Sequence, residues 1–167
     1  MGRSSIDQLL RTTHQHHIYL SGMADKKASF LIAAASVMLT LLLGRYAETD
    51  KIPLPLLILG GFTLIAACFA VLCIIPHLKT ELSDEQKVNL LFFGEFGNLT
   101  LDEYREQMNE LIKDDTKIYD AIIEEIYFLG ELLKKTKYKY LTWAYRFFLS
   151  GIILAAVIWI LQNIFSL

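Results

Sequence analysis

Three stretches of this chain contain no Asp, Glu, Lys or Arg: residues 28–44, 52–78 and 147–167, of 17, 27 and 21 residues. A bilayer core about 30 Å thick needs roughly 17–25 apolar residues per helix. The pattern therefore predicts an all-α, three-span membrane protein. The stretches take up 65 of the 167 residues, and the remainder is too short for a conventional enzyme domain of about 100–150 residues. A kinase, a Rossmann sheet or a barrel is excluded on that ground. Composition agrees, since 54% of residues are hydrophobic against about 45–50% in an ordinary soluble domain. The net charge of −2 argues against nucleic acid as a partner, because such domains carry a basic excess.

Charge sets the expected topology. Asp7, Asp25 and a His-rich run precede the first apolar stretch and no small-residue cleavage site follows it, so it reads as a retained span and not as a secretory signal. Of the sixteen Lys and Arg, four precede the first span, two lie in the 45–51 loop and ten fall between Lys79 and Arg146. By the positive-inside rule, residues 1–27 and 77–146 are cytoplasmic, 45–52 form an external loop, and the chain ends outside after a third span at 147–167. The second span, 53–76, is bracketed by Pro53, Pro55 and Pro76, where a missing N–H or a helix stop does least harm. Pairs of small residues four apart (Ser29 and Ala33, Ala66 and Ala70, Gly151 and Ala155) would let membrane helices approach closely, within one subunit or between subunits. Cys68 and Cys73, five residues apart on the second span, would point to different faces and read as packing residues.

The cytoplasmic sequence shows no period-2 alternation and reads as helical. Ser5 with Gln8, Ser83 with Gln86 and Thr100 with Glu103 have capping-box spacing, which predicts helix starts and shorter helices near 83–93 and 100–113. Another helix starts near Asp114 or Asp115 and carries Ile118, Ile122, Ile126, Leu129, Leu133 and Tyr140 at helical spacing. No proline interrupts it before Leu167. It would run into the third span, as the helix from Ser5 would run into the first, giving a cytoplasmic stalk with Gly22 as a bend. Charge is layered on this stalk: residues 81–131 hold fourteen acidic and four basic side chains, whereas 134–146 hold five basic and none acidic. Such a basic collar suits anionic lipid headgroups, at about 1 kcal/mol per Lys or Arg. It is also where an anionic ligand would sit.

No catalytic constellation emerges. There is no Gly-x-Ser-x-Gly, Gly-rich phosphate loop or Cys-x-x-Cys. His14 and His17 share a helical face but lack the thiolate or paired-carboxylate companions of a closed metal site, so neither metal nor cofactor is expected. Asp25 with Lys27, at the mouth of the first span, reads as an interface ion pair before it reads as an active pair. A small nucleotide would use an aromatic face for its base and Arg, Lys or a helix N-terminus for its phosphate. Lys26, Lys27, Asn89, Phe93, Tyr104 and Arg105 are the candidate ligand-binding residues, with core packing the alternative for the aromatics.

The runs ADKKASFLIAAASVMLTLLL at 24–43, NLLFFGEFGNLTLDEY at 89–104 and EIYFLGELLKKTKYKYLTWAY at 125–145 resemble the transmembrane effectors of Pycsar, the bacterial pyrimidine cyclase system for antiphage resistance. Asp25, Lys27, Ala28, Asn89, Phe93, Gly94, Tyr104, Tyr127 and Lys139 match the family motifs. The resemblance implies a non-enzymatic effector in the bacterial inner membrane that responds to cyclic CMP or cyclic UMP. As three spans cannot enclose a sizeable pore, it would impair the membrane as a homo-oligomer. The alternatives are an effector for another cyclic nucleotide, a membrane scaffold recruiting a cytoplasmic partner and, last, a small membrane enzyme.

Overall fold

The computed structural model describes residues 3–49, 53–76 and 88–165. It consists of α1 (Arg3–Thr49), α2 (Leu54–Ile74), the single turn α3 (Phe93–Phe96), α4 (Leu101–Leu111), α5 (Asp115–Leu132), a π-helical segment (Leu133–Tyr138) and α6 (Lys139–Phe165). There is no strand among the described residues. Helical structure is continuous from Asp115 to Phe165, and α1 runs 47 residues with no break at Gly22. Three helical stretches are long and apolar enough to cross a membrane, as the charge-free stretches predict. The chain divides into a polar unit, Met1–Leu20 with Pro76–Lys134, and a membrane unit, Ser21–Ile75 with Lys135–Leu167.

Small residues build the membrane unit. Ala24, Ala28, Leu31 and Ala35 form the buried stripe of α1, Ala66, Ala70 and Cys73 that of α2, and Leu141, Ala144, Gly151 and Ala155 that of α6. Lipid tails are as apolar as leucine, so close backbone approach and van der Waals packing hold such helices together. Large side chains point the other way: Phe30 is 75% exposed and Trp159 61%. An outward surface of this kind suits hydrocarbon and not water. Two of the three small-residue pairs, Ala66 with Ala70 and Gly151 with Ala155, are used within the chain, while Ser29 and Ala33 face outward. Cys68 is exposed and Cys73 buried, on different faces as expected.

Contacts fix the helix directions in this unit. Phe62 meets Phe147, and further along α2 Phe69 stacks on Phe147 at 5.4 Å and on Tyr140 at 6.5 Å; α2 and α6 are antiparallel. On α1, Asp25 reaches Lys137 and the Lys27 carbonyl accepts from Tyr145 Oη. Residue numbers rise together, so α1 and α6 run parallel.

In the polar unit, the predicted caps at Thr100 and Asp114 are present. The Thr100 hydroxyl accepts from the Glu103 N–H, and the Thr100 N–H and Oγ1–H donate to the Glu103 carboxylate at 2.8 and 2.7 Å. These bonds, the backbone one foremost, hold the Glu103 carboxyl below its usual range. Because the folded state binds that proton more weakly, the cap's contribution is complete above the ordinary carboxylate pKa. It declines as pH falls and is lost below Glu103's lowered pKa. Thr100→Ala is expected to move the Glu103 midpoint, read by NMR titration, upward toward that of an unpaired glutamate, and to shorten amide protection in the first turn of α4.

Two local expectations are corrected. Ser5 does not cap a helix, because α1 is already helical from Arg3. The helix expected near 83–93 does not extend through 88–92, which are irregular with a turn at 90–91. There the Asn89 side-chain oxygen accepts from the Leu91 N–H and the Glu95 carboxylate accepts from the Asn89 N–H, bonds that compete with a helical ladder. The Ser83/Gln86 cap, His77 and Lys79 lie outside the described residues.

Candidate functional site

At the base of the membrane unit the helices converge on Lys137. Its ammonium donates to both carboxylate oxygens of Asp25, at 2.7 and 2.6 Å across 112 residues of sequence. The two side chains are 19% and 37% exposed. The Cys73 thiol of α2 donates to the Lys137 carbonyl at 3.3 Å. Lys137 belongs to the π-helical segment, a geometry that recurs at functional sites. Asp25 thus takes Lys137, not the expected Lys27, as its partner. Lys26 and Lys27 are exposed on α1, as is Lys139 on α6.

The other four candidates lie in the polar unit. Asn89 is 5% exposed and its Nδ2 has no hydrogen-bond partner. Glu95, 4% exposed, accepts the Asn89 N–H at 2.6 Å. Phe93 opens α3. The Tyr104 ring packs on Phe96 at 5.1 Å, and Arg105 pairs with Asp102 one turn away at 3.4 Å. The Tyr104 ring is thus partly engaged in packing on Phe96. Glu95 was not singled out in the sequence; its only signal was an acid isolated in the apolar run LLFFGEF.

A third arrangement, between α1 and α5 of the polar unit, carries more chemistry. Asp7, Leu10, Arg11 and His14 share one face of α1 and line a cleft of about 360 Å³ with Tyr119, Ile122 and Glu125. Tyr119 Oη donates to Asp7 Oδ1 at 2.6 Å at one end, and His14 Nε2 lies 3.3 Å from Glu125 Oε1 at the other. His14 and His17, weighed as a metal pair, have different surroundings. His14 faces Glu125, whereas the His17 ring lies over Gly130, with its Nδ1 buried and unpartnered. No group of three metal-ligating side chains occurs among the described residues.

A family model for PycTM, the Pycsar effector protein domain, matches residues 8–162. The chain belongs to this family. Pycsar effectors act downstream of a cyclic nucleotide signal and are not cyclases, and this one is a membrane-associated antiphage defence effector. The matched stretch of the Pycsar effector contains the Asp25–Lys137 pair, the Asn89–Glu95 turn and every cleft residue except Asp7. No curated protein and no solved structure matches the chain.

Proposed function

We propose that this Pycsar effector senses a cyclic pyrimidine mononucleotide, cyclic CMP or cyclic UMP, and in response impairs the bacterial inner membrane as a homo-oligomer. The polar unit is cytoplasmic and the chain ends on the external side, following the distribution of Lys and Arg. The observation that carries the reading is the combination of a family match over residues 8–162 with helices whose large apolar side chains face outward. These helices share a close-packed small-residue seam, which leaves no room for a pore within one subunit. Lys26, Lys27, Lys134, Lys135 and Lys139, all exposed, serve in this reading as contacts to lipid phosphates, while Lys137 is held by Asp25. A nucleotide changes the packing only if it binds the two arrangements with different affinity.

Reconstitution tests this directly. Addition of cyclic CMP or cyclic UMP to dye-loaded liposomes bearing the full chain is expected to release dye, and cyclic AMP is not. Absence of leakage with every cyclic mononucleotide, in liposomes where insertion is verified, overturns the reading. Nucleotide-independent toxicity together with a stable protein partner would favour a scaffold.

A further inference from the structure

We infer that the cleft between α1 and α5 is the ligand pocket of the sensor, with Arg11 as its anion contact and a singly charged cyclic phosphodiester as its ligand class. This rests on the sensing reading above and adds a place and a charge selectivity to it. The cleft, about 360 Å³, is within the roughly 300–1,000 Å³ range of small-molecule sites. It is formed by two helices of the same unit.

The electrostatics follow from which side chains are already engaged. Asp7 stands four residues before Arg11 on the same helix, the spacing at which an acid and an arginine ordinarily pair. Asp7 instead accepts from Tyr119, and Glu125 faces His14. The Arg11 guanidinium makes no hydrogen bond or ion pair among the described residues. A guanidinium offers five donors in a planar fork that matches phosphate oxygens. Leu10 and Ile122 lie between the two cross-helix bonds and supply an apolar wall for a ribose or a base.

The two carboxylates set the ligand's charge. Asp7 keeps its charge on accepting from a neutral phenol, so an anion in the cleft meets one guanidinium beside two carboxylates, and each further negative charge on the ligand adds repulsion from Asp7 and Glu125. A cyclic phosphodiester carries one charge near neutral pH, whereas a 5′-monophosphate carries close to two. The cleft therefore selects the cyclic form over its hydrolysis product by charge, before any base contact is made.

Calorimetric titration of the full chain in nanodiscs tests both parts, with cyclic CMP, cyclic UMP, 5′-CMP and inorganic phosphate as probes. The wild type is expected to bind at least one cyclic nucleotide at least tenfold more tightly than 5′-CMP or phosphate. Arg11→Gln is expected to weaken that binding at least tenfold with an unchanged thermal midpoint, and Lys117→Gln, which removes an exposed charge from α5, to leave it within twofold. Ile122→Trp, which fills the cleft without touching a charge, is the second variant and is expected to abolish binding. Wild-type affinity in both Arg11→Gln and Ile122→Trp overturns the cleft while the sensing reading stands. So does a tenfold loss confined to Lys26→Gln/Lys27→Gln. Equal affinity for 5′-CMP overturns the charge selection. Failure of the wild type to bind either cyclic nucleotide overturns both the cleft and the sensing reading.

Discussion

Gly151→Leu is expected to prevent the membrane unit from assembling. A Cβ added at Gly151 would lie 2.5 Å from Phe62 Cβ, 3.3 Å from its Cγ and 3.8 Å from its Cα. Cβ and Cα cannot swing aside, because they are the root of the side chain and the backbone of α2. Relief requires α2 and α6 to separate, which also opens the stacking of Phe69 on Phe147. Overpacking a core typically costs about 1–3 kcal/mol. Gly151→Ala is expected in that range, and the branched Leu side chain beyond it. Gly61 is the comparison: an added Cβ there meets nothing within 4 Å, and alanine is favoured over glycine in a helix interior by roughly 0.5–1 kcal/mol. Thermal unfolding in detergent should place Gly61→Ala at or above the wild type, Gly151→Ala several degrees below it, and Gly151→Leu without a cooperative transition. A wild-type melt for Gly151→Leu would mean that the α2–α6 seam is not closed at Gly151.

The second large effect concerns Asp25 and Lys137. Asp25→Ala leaves an ammonium that is 19% exposed without its carboxylate. Removing one partner of a fully buried pair costs about 3–5 kcal/mol. Asp25 is 37% exposed, so solvent reduces this, and a coupling of about 1–2 kcal/mol is expected from the double-mutant cycle, within the range for residues in direct contact. The exchanged pair Asp25→Lys/Lys137→Asp should recover more stability than the sum of the single substitutions allows. Simple additivity in the cycle would show that the pair contributes no coupling. Lys27→Ala, which leaves the pair intact, is expected to change the melting temperature little.

What could be read along the chain and what could not separate by the range of the interaction. The spans follow from runs of uncharged residues, and the caps at Thr100 and Asp114 from partners two or three residues away. The Asp25–Lys137, His14–Glu125 and Asp7–Tyr119 contacts join residues 111 or 112 positions apart. No local periodicity encodes such a register. Spacing alone therefore offers Asp25 and His14 companions close in sequence, Lys27 and His17. A single arginine on an amphipathic helix, as Arg11 is, reads as solvated surface. It becomes distinctive only once Asp7 is committed to Tyr119. The irregular stretch at 88–92 is hidden for a different reason: Asn89 and Glu95 use their side chains to take up backbone bonds that apolar spacing assigns to a helix.

The π-helical segment at Leu133–Tyr138 holds one residue more than an α-helical turn, since its bonds close over five residues and not four. That surplus behaves like a dislocation in a crystal. It cannot be annealed out by rotating single bonds; it can only be handed from one turn to the next as backbone bonds exchange partners, turning the residues it passes and leaving those beyond in place. Lys137 lies in its path, held by Asp25 through its ammonium and by Cys73 through its carbonyl. The defect is thus pinned by the same residue that joins α1 to the end of the chain.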